Sequence, residues 1–154
     1  MMYNGRREYV KSTKAIIEGR EAVAKKINAI EELEVIGEPK LGNMAFRSLD
    51  KSVNIFYLAN YMATRGWKLV PTPKYHTIRV LVHPNNLPHL EQLCAFIKEG
   101  VKQVKENPDK YKEGPASRVG DIESLDDRSK RTEFETRFHE LYNIENYMGV
   151  NDKS

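Results

Sequence analysis

The segment that decides the fold is residues 53–69, which read VNIFYLANYMATRGWKL. Its apolar side chains recur every three or four residues, which is typical of an amphipathic helix. Gly66 follows at the position where helices commonly end in a left-handed residue, and Trp67 then opens a short apolar run. The segment therefore predicts a helix over 53–65 and a strand over 67–70. The buried face of the helix is predicted to carry Ile55, Leu58, Ala59 and Met62.

Further strands and helices are predicted on both sides of this segment. Short strands are expected at 34–37 and 43–48, and the clearest strand lies at 77–82, because apolar residues alternate there with a period of two. A long helix over 7–33 has Ile16, Val23, Ile27 and Ile30 on one face. Another helix follows Pro88, with Asn85 and Asn86 as capping residues, and ends at Pro108.

The order of these elements is α-β-β-α-β-β-α. It predicts an α+β fold, in which helices pack on one face of a small mixed or antiparallel sheet of three or four strands. Residues 107–127 are polar and rich in turn-forming residues, so we expect a connection there. The predicted organisation is a small α+β domain over 1–108, followed over 109–154 by a polar loop and a C-terminal helix. That helix is expected to pack on the domain or on a partner through Phe134, Phe138 and Leu141.

Composition excludes several classes of protein. The chain has 154 residues, 40% of them hydrophobic and 31% charged, which fits one globular domain. The net charge is +3, and the basic residues are interspersed with acidic ones. No nucleic-acid partner is therefore expected. Cys94 is the only cysteine, which excludes an internal disulfide and favours a reducing, cytoplasmic location. No apolar run reaches the roughly 20 residues of a membrane span, and the start of the chain lacks the apolar core of a signal peptide.

Four motifs, taken in order, resemble one known family. They are Val35-Ile36-Gly37-Glu38-Pro39, the strand MAFRS at 44–48, the passage from VNIF at 53–56 to RGW at 65–67, and TIRVLVHP at 77–84. Together they resemble the C-terminal small domain of the sphingosine-phosphate lyase group of PLP-dependent (group II) decarboxylases. The resemblance implies the C-terminal-domain fold of fold-type I PLP enzymes, pyridoxal phosphate as cofactor, and a dimeric lyase or decarboxylase of carboxylic acid metabolism.

In such enzymes the large domain holds the cofactor. Its lysine, usually placed after a histidine, forms a Schiff base with PLP. No His-Lys dipeptide occurs in this chain. The resemblance therefore implies a fragment or split half of a carbon-carbon lyase, inactive alone, that uses PLP only with a complementary large domain. No catalytic residue is assigned here. The alternative is a non-catalytic interaction module that keeps the small-domain fold.

The candidate substrate-binding residues lie on or beside the 77–82 strand. Arg79 occupies a strand position where many decarboxylases of the wider family carry an arginine close to the substrate, and the lyases more often a histidine. A guanidinium can bind a carboxylate or a phosphate through two parallel hydrogen bonds, which fits an amino acid or a phosphorylated amine. The alternative is a solvent-facing arginine that pairs with a neighbouring acid. His76 and His83 flank the strand and could hold a phosphate or move a proton, or have no special role.

Two further expectations follow from the resemblance. Residues 114–120 align with a tail loop that in the lyases carries a tyrosine, and Val119 stands in its place. A free small domain should also expose an apolar surface, where a large domain or a second copy would bind. The candidates for that surface are Trp67, Leu69 and the stripe of Phe134, Phe138 and Leu141. The four histidines show no metal-ligand spacing, so no metal is expected.

Overall fold

The computed structural model describes residues 5–121, so the predicted helix with Phe134, Phe138 and Leu141 lies outside the described residues. The elements are α1 (Arg6–Asn28), β1 (Leu33–Val35), β2 (Asn43–Ser48), α2 (Ile55–Thr64), β3 (Val70–Thr72), β4 (Thr77–Leu81), α3 (Leu90–Glu106) and α4 (Pro115–Asp121). The strands form one antiparallel sheet in the order β1-β2-β4-β3. The predicted α+β class is confirmed.

The two central strands alternate between a buried and an uncovered face. Met44 and Phe46 of β2 and Ile78 and Val80 of β4 are at most 3% exposed. They form one core with the inner faces of α1, α2 and α3. The residues between them project to the opposite face, because successive side chains on a strand alternate. Among the described elements, no helix packs on that second face, which we call the open face.

The segment at 53–69 forms the predicted helix with a small shift at its start. α2 begins at Ile55, because Asn54 is its N-cap: the Oδ1 of Asn54 accepts hydrogen bonds from the backbone N of Phe56 at 2.9 Å and of Tyr57 at 3.4 Å. Gly66 has a φ of +84°, as expected of a glycine just beyond a helix. All four predicted buried residues of α2 are buried.

Several predicted boundaries were wrong, including that of the first strand, which was expected at 34–37 and covers Leu33–Val35. α1 ends at Asn28 and not at Leu33, because the Asn28 side chain accepts a 2.8 Å hydrogen bond from the backbone N of Val35 and Leu33 already pairs with Ser48 in the sheet. The strand after Gly66 was expected at 67–70, but β3 covers Val70–Thr72. Pro71 does not interrupt it, because β3 is an edge strand and needs no donor on its outer side.

The start of α3 also differs from the prediction. Asn85 and Asn86 were expected to cap this helix, yet a 3₁₀ turn at Leu87–His89 comes first and α3 begins at Leu90. The Asn86 side chain makes no cap hydrogen bond and instead bonds back to residues 81 and 83. The apolar stripe of α3 is buried as predicted: Leu90, Leu93, Cys94, Ile97, Val101 and Val104.

The expected polar connection is folded as far as residue 121. A 3₁₀ turn at Pro108–Tyr111 and the short helix α4 bury Tyr111, Ala116 and Val119 against the domain. The position that aligned with a tail loop is therefore helical here. The division of the chain at residue 108 stays a prediction. None of the helices within residues 5–121 combines the length and the apolarity needed to cross a bilayer.

Candidate functional site

Arg79 lies in the middle of the open face. It stands on β4 opposite Ala45 of β2 and Val70 of β3, and it is exposed. A second arginine on the same face, Arg47, forms an ion pair with Glu34 through an Nη2–Oε2 distance of 2.7 Å. No such ion pair is formed by Arg79 within residues 5–121. Within this part of the chain, the arginine that pairs with a neighbouring acid is therefore Arg47 and not Arg79.

Arg79 lines a shallow pocket of about 520 Å³ at one corner of the open face. That volume falls in the range of small-molecule sites. The polar lining residues are Asn43, Lys68, Arg79, His83 and Asn86, and the apolar ones are Trp67, Leu69, Val70, Val80 and Leu81. The pocket therefore combines three basic side chains with an apolar wall, a composition that suits a ligand with an acidic group.

The structure brings His83 into the same pocket. His83 is half-buried just beyond the end of β4, where its backbone N donates a 3.0 Å hydrogen bond to the Oδ1 of Asn86. At about 3.3 Å per residue, its Cα lies roughly 13 Å along the strand from that of Arg79. The two side chains can meet on one ligand only by converging across Leu81, which lies between them.

His76 lies away from this pocket, at the opposite end of β4. It has a left-handed φ of 47°, and its ring meets the ring of Phe56 edge-on with centroids 5.6 Å apart. It does not line the pocket around Arg79. Of the three predicted residues, Arg79 and His83 are therefore neighbours and His76 is not, while the roles of all three stay predictions.

Sequence reasoning missed four residues of the pocket. Asn43, Trp67, Lys68 and Asn86 come from three separate segments. The alternation of β2 places Asn43 on the open face, but only the register shows that it pairs with Leu81. Lys68 precedes β3 and gave no local signal, while Trp67 was predicted only as part of an exposed apolar surface. Asn86 gave a misleading one, because an asparagine before a helix suggests a cap.

The pocket does not fit pyridoxal phosphate by itself. Enzymes of the resembling family hold the pyridine nitrogen with an aspartate and bind the aldehyde through a lysine. Lys68 is the pocket's lysine, and no carboxylate is among its lining residues. Its walls are an exposed sheet face, which leaves the cofactor ring unenclosed. Nor does any group of three potential metal ligands come together in the described part of the chain.

A second groove, between α1 and α3, has a volume of about 1070 Å³ and a lining of mixed charge. Lys26 and Glu91 form an ion pair across it. Cys94 lies at its base, and burial raises the pKa of the thiol, which keeps the thiol protonated. This agrees with the interpretation of Cys94 as a packed residue and does not favour it as a nucleophile.

Within residues 5–121, the exposed apolar residues near Arg79 are not the two that were predicted there. Trp67 and Leu69 are half-buried and pack against the core. The exposed ones near Arg79 are Val70 and Leu81, at 48% and 59% exposure. The reason is the register: Val70 pairs with Arg79, and Leu81 stands two residues further along β4 on the same face. The open face is therefore partly apolar around its arginine.

The fold and the site define a class first: a small α+β domain whose four-stranded sheet is covered on one face and carries an arginine pocket on the other. Comparisons then identify its relatives. No family profile matches the chain. It is 28% identical over 138 residues to the sphingosine-1-phosphate lyase of Arabidopsis thaliana, covering 90% of this chain and 25% of the relative. The lyase of Rattus norvegicus is 28% identical over 141 residues, or 90% of this chain and 24% of the relative.

A solved structure shows the same fold. The sphingosine-1-phosphate lyase of Burkholderia pseudomallei superposes with a TM-score of 0.66 and 20% identity, over 90% of this chain and 27% of that one. The chain is thus homologous to one part of sphingosine-1-phosphate lyases, as the motifs predicted. It spans about a quarter of the length of the relatives that it matches.

Proposed function

We propose that this chain is the C-terminal small domain of a PLP-dependent carbon-carbon lyase or decarboxylase, which acts together with a large cofactor-binding domain and is not active alone. The observation that supports this most is the pattern of coverage. About 90% of this chain matches only 25% of the Arabidopsis lyase. The remaining three quarters of such an enzyme would supply the cofactor site that the Arg79 pocket does not provide.

The open face is the proposed contact with that large domain. Val70 and Leu81 are exposed there, and burying them would stabilise a complex by about 25 cal/mol for each Å² of apolar area removed from water. Covering the face would also exclude water from Arg79. A guanidinium attracts an anion more strongly at the lower effective dielectric of a closed site.

The proposed role of Arg79 is to hold the acidic group of the substrate. Its guanidinium would bind a carboxylate or a phosphate through two parallel N–H···O hydrogen bonds and so orient the substrate. His83 stands on the same side of the pocket and would contact the same group. The substrate class is an amino acid or a phosphorylated amine. The chemistry of the cofactor belongs to the large domain, and this chain contributes binding and orientation.

A complementation assay tests the proposal. The full chain is mixed with the large domain of a related lyase, supplied with PLP, and assayed for cleavage of a phosphorylated long-chain amine. We expect activity in the mixture and none in either part. In the mixture, Arg79→Ala should lower kcat/KM by about a hundredfold, because a charged hydrogen-bonding group is lost. Lys98→Ala is the control: it removes an exposed basic residue from α3, away from the open face, and should leave kcat/KM within about twofold.

Two results would contradict the proposal. Activity of the chain alone with PLP would make it an enzyme in its own right, and borohydride reduction followed by intact mass would then show a single lysine adduct. The alternative, an interaction module, would be favoured if the chain bound the large domain without producing activity and if Arg79→Ala left that binding unchanged. The exposed Val70 and Leu81 would then serve binding only.

A further inference from the structure

We propose that Asn86 is a positioning residue, which holds His83 at the rim of the Arg79 pocket and thereby sets how tightly the pocket binds an acidic group. This inference rests on the proposed role of Arg79. It begins from an asparagine whose side chain does not cap the helix that follows it and bonds instead to the strand that precedes it.

The amide of Asn86 bonds to two backbone groups on either side of Val82. Its Oδ1 accepts from the backbone N of His83 at 3.0 Å, and its Nδ2 donates to the carbonyl oxygen of Leu81 at 2.8 Å. The backbone N of Asn86 also donates to the carbonyl of His83 at 3.1 Å. Three hydrogen bonds therefore tie Asn86 to residues 81 and 83.

The side chain of Asn86 makes the hydrogen bonds that a neighbouring strand would otherwise make. On one side of the chain, the backbone N of Val82 donates to the carbonyl of Gly42 at 2.7 Å, which extends the pairing with the β2 segment beyond Leu81. On the other side, β3 reaches only as far as the pair of Val70 with Arg79. Within residues 5–121, the Leu81 carbonyl and the His83 N–H thus have no strand beside them. The Asn86 amide donates to the Leu81 carbonyl and accepts from the His83 N–H, as the peptide group of a neighbouring strand would.

The consequence for the site follows from the alternation of an extended chain. Residues 79, 81 and 83 project to the same face as long as the backbone stays extended through residue 83. The Asn86 amide maintains that conformation beyond the formal end of β4. Without the Asn86 amide, the turn at 83–86 would lose two hydrogen bonds to the end of the strand, and His83 would no longer face the pocket of Arg79.

The far end of the turn is held by packing. The side chain of Leu87 lies so close to α1 that a Cβ on Gly19 would stand 2.7 Å from its Cδ2. Asn86 therefore lies between a strand on one side and a tightly packed leucine on the other. This environment leaves the amide few alternative orientations, which is what a positioning residue requires.

The test is a titration of the full, isotopically labelled chain with inorganic phosphate at constant pH, followed through the NMR signals of the His83 imidazole. We expect Asn86→Ala to weaken phosphate binding by about fivefold, the effect of losing a typical hydrogen-bonded contact, and to remove the His83 response. The phosphate affinity of Asn86→Ser should fall between those of Asn86→Ala and the unaltered chain, because a hydroxyl is a weaker substitute for the amide. Asn85→Ala changes the adjacent, exposed asparagine and should bind as the unaltered chain does.

The outcomes separate the inference from the function on which it rests. If Arg79→Ala weakens phosphate binding and Asn86→Ala does not, Asn86 is merely structural and the inference is overturned, even if its thermal stability falls. If the unaltered chain binds no phosphate, or binds it as Arg79→Ala does, the role of Arg79 fails and the inference fails with it. Repeating the titration with acetate distinguishes a phosphate site from a carboxylate site.

Discussion

A single buried amide connects the end of the described chain to its core. Asn60, on α2, is 7% exposed. Its Nδ2 donates to the carbonyl of Tyr111 at 2.9 Å and to the Oγ of Ser117 at 2.7 Å, while its Oδ1 accepts from the backbone N of Ala116 at 3.0 Å. These bonds explain why a segment that reads as a polar connection is folded: its backbone groups find partners on α2.

At the residue scale, we therefore predict that Asn60→Ala lowers the free energy of unfolding by about 2–4 kcal/mol. The substitution leaves a buried N–H and a buried C=O without their partner, and each such loss costs about 1–3 kcal/mol. Urea denaturation followed by circular dichroism measures the change. Asn107→Ala alters an exposed asparagine in the adjoining segment and should shift the value by less than about 0.5 kcal/mol. Equal effects of the two variants would contradict this account.

At the scale of elements, α2 and α3 are tightly packed against each other at Gly100. A Cβ on this residue would stand 2.6 Å from the Cδ1 of Leu58 and 2.6 Å from the Cδ1 of Tyr61, both buried. The Tyr61 ring has little room to move, since Tyr111 packs edge-on against it with centroids 5.4 Å apart. Glycine is therefore needed here for space, although it is a poor helix former.

Gly100→Ala is accordingly expected to destabilise the protein by about 1 kcal/mol. Overpacking costs about 1–3 kcal/mol, and the higher helix propensity of alanine offsets up to about 1 kcal/mol of that. The midpoint of urea denaturation gives the result. Lys98→Ala, at an exposed position of the same helix, should be nearly neutral. A more stable Gly100→Ala variant would show that the helices can separate without loss.

At the scale of the whole molecule, a charged cluster joins the sheet side to the end of α3. The Nζ of Lys105 lies 2.9 Å from the Oε1 of Glu32 and 3.0 Å from the Oδ2 of Asp50. Hydrogen bonds from Ser52, and then from Lys105, lower the pKa of Asp50 to about 2. The hydrogen bond from Lys105 likewise lowers the pKa of Glu32. Three distant segments of the chain meet at this exposed site.

These shifts predict a loss of stability in acid. A carboxyl group with a lower pKa in the folded state stabilises the fold above its ordinary pKa, and this contribution disappears as the pH falls through the folded-state value. The midpoint of urea denaturation should therefore fall between about pH 4 and pH 2, and less so in Asp50→Asn. Asp109→Asn, at an exposed position, serves as the control and should keep the full decline. An identical decline in Asp50→Asn would exclude this cluster as a cause.

Much of the fold could be predicted from the sequence, because helices and strands have local periods. The buried stripes of α2 and α3 and the alternation of β4 were predicted correctly for this reason. The boundaries that failed are those set by side-chain hydrogen bonds and by the order of the strands, which hydrophobic periodicity does not encode. The Asn28 side chain bonds to Val35, and the edge position of β3 accommodates Pro71. Neither contact leaves a trace in a local pattern.

The candidate site was predictable only in part. Arg79 stood out because it lies on the clearest strand, at a position where decarboxylases of the resembling family often carry an arginine. Its neighbours Lys68 and Asn86 did not stand out, because they come from a loop before β3 and a turn after β4. Asn86 fits the local pattern of a helix cap, but its side-chain amide forms hydrogen bonds with the backbone of residues 81 and 83 instead.

The sequence by itself determined the three long helices, the four strands, the buried faces of α2 and α3, and the likeness to sphingosine-phosphate lyases, since each of these follows from local residue order. Only the tertiary structure decided which polar side chains meet. The register that pairs Arg79 with Val70 and Ala45 places Arg79 on the open face, in a pocket that His83 also lines and His76 does not. The physical reason is that a register shift of one residue moves every side chain of a strand to the other face, and that register is set by packing between segments far apart in the chain.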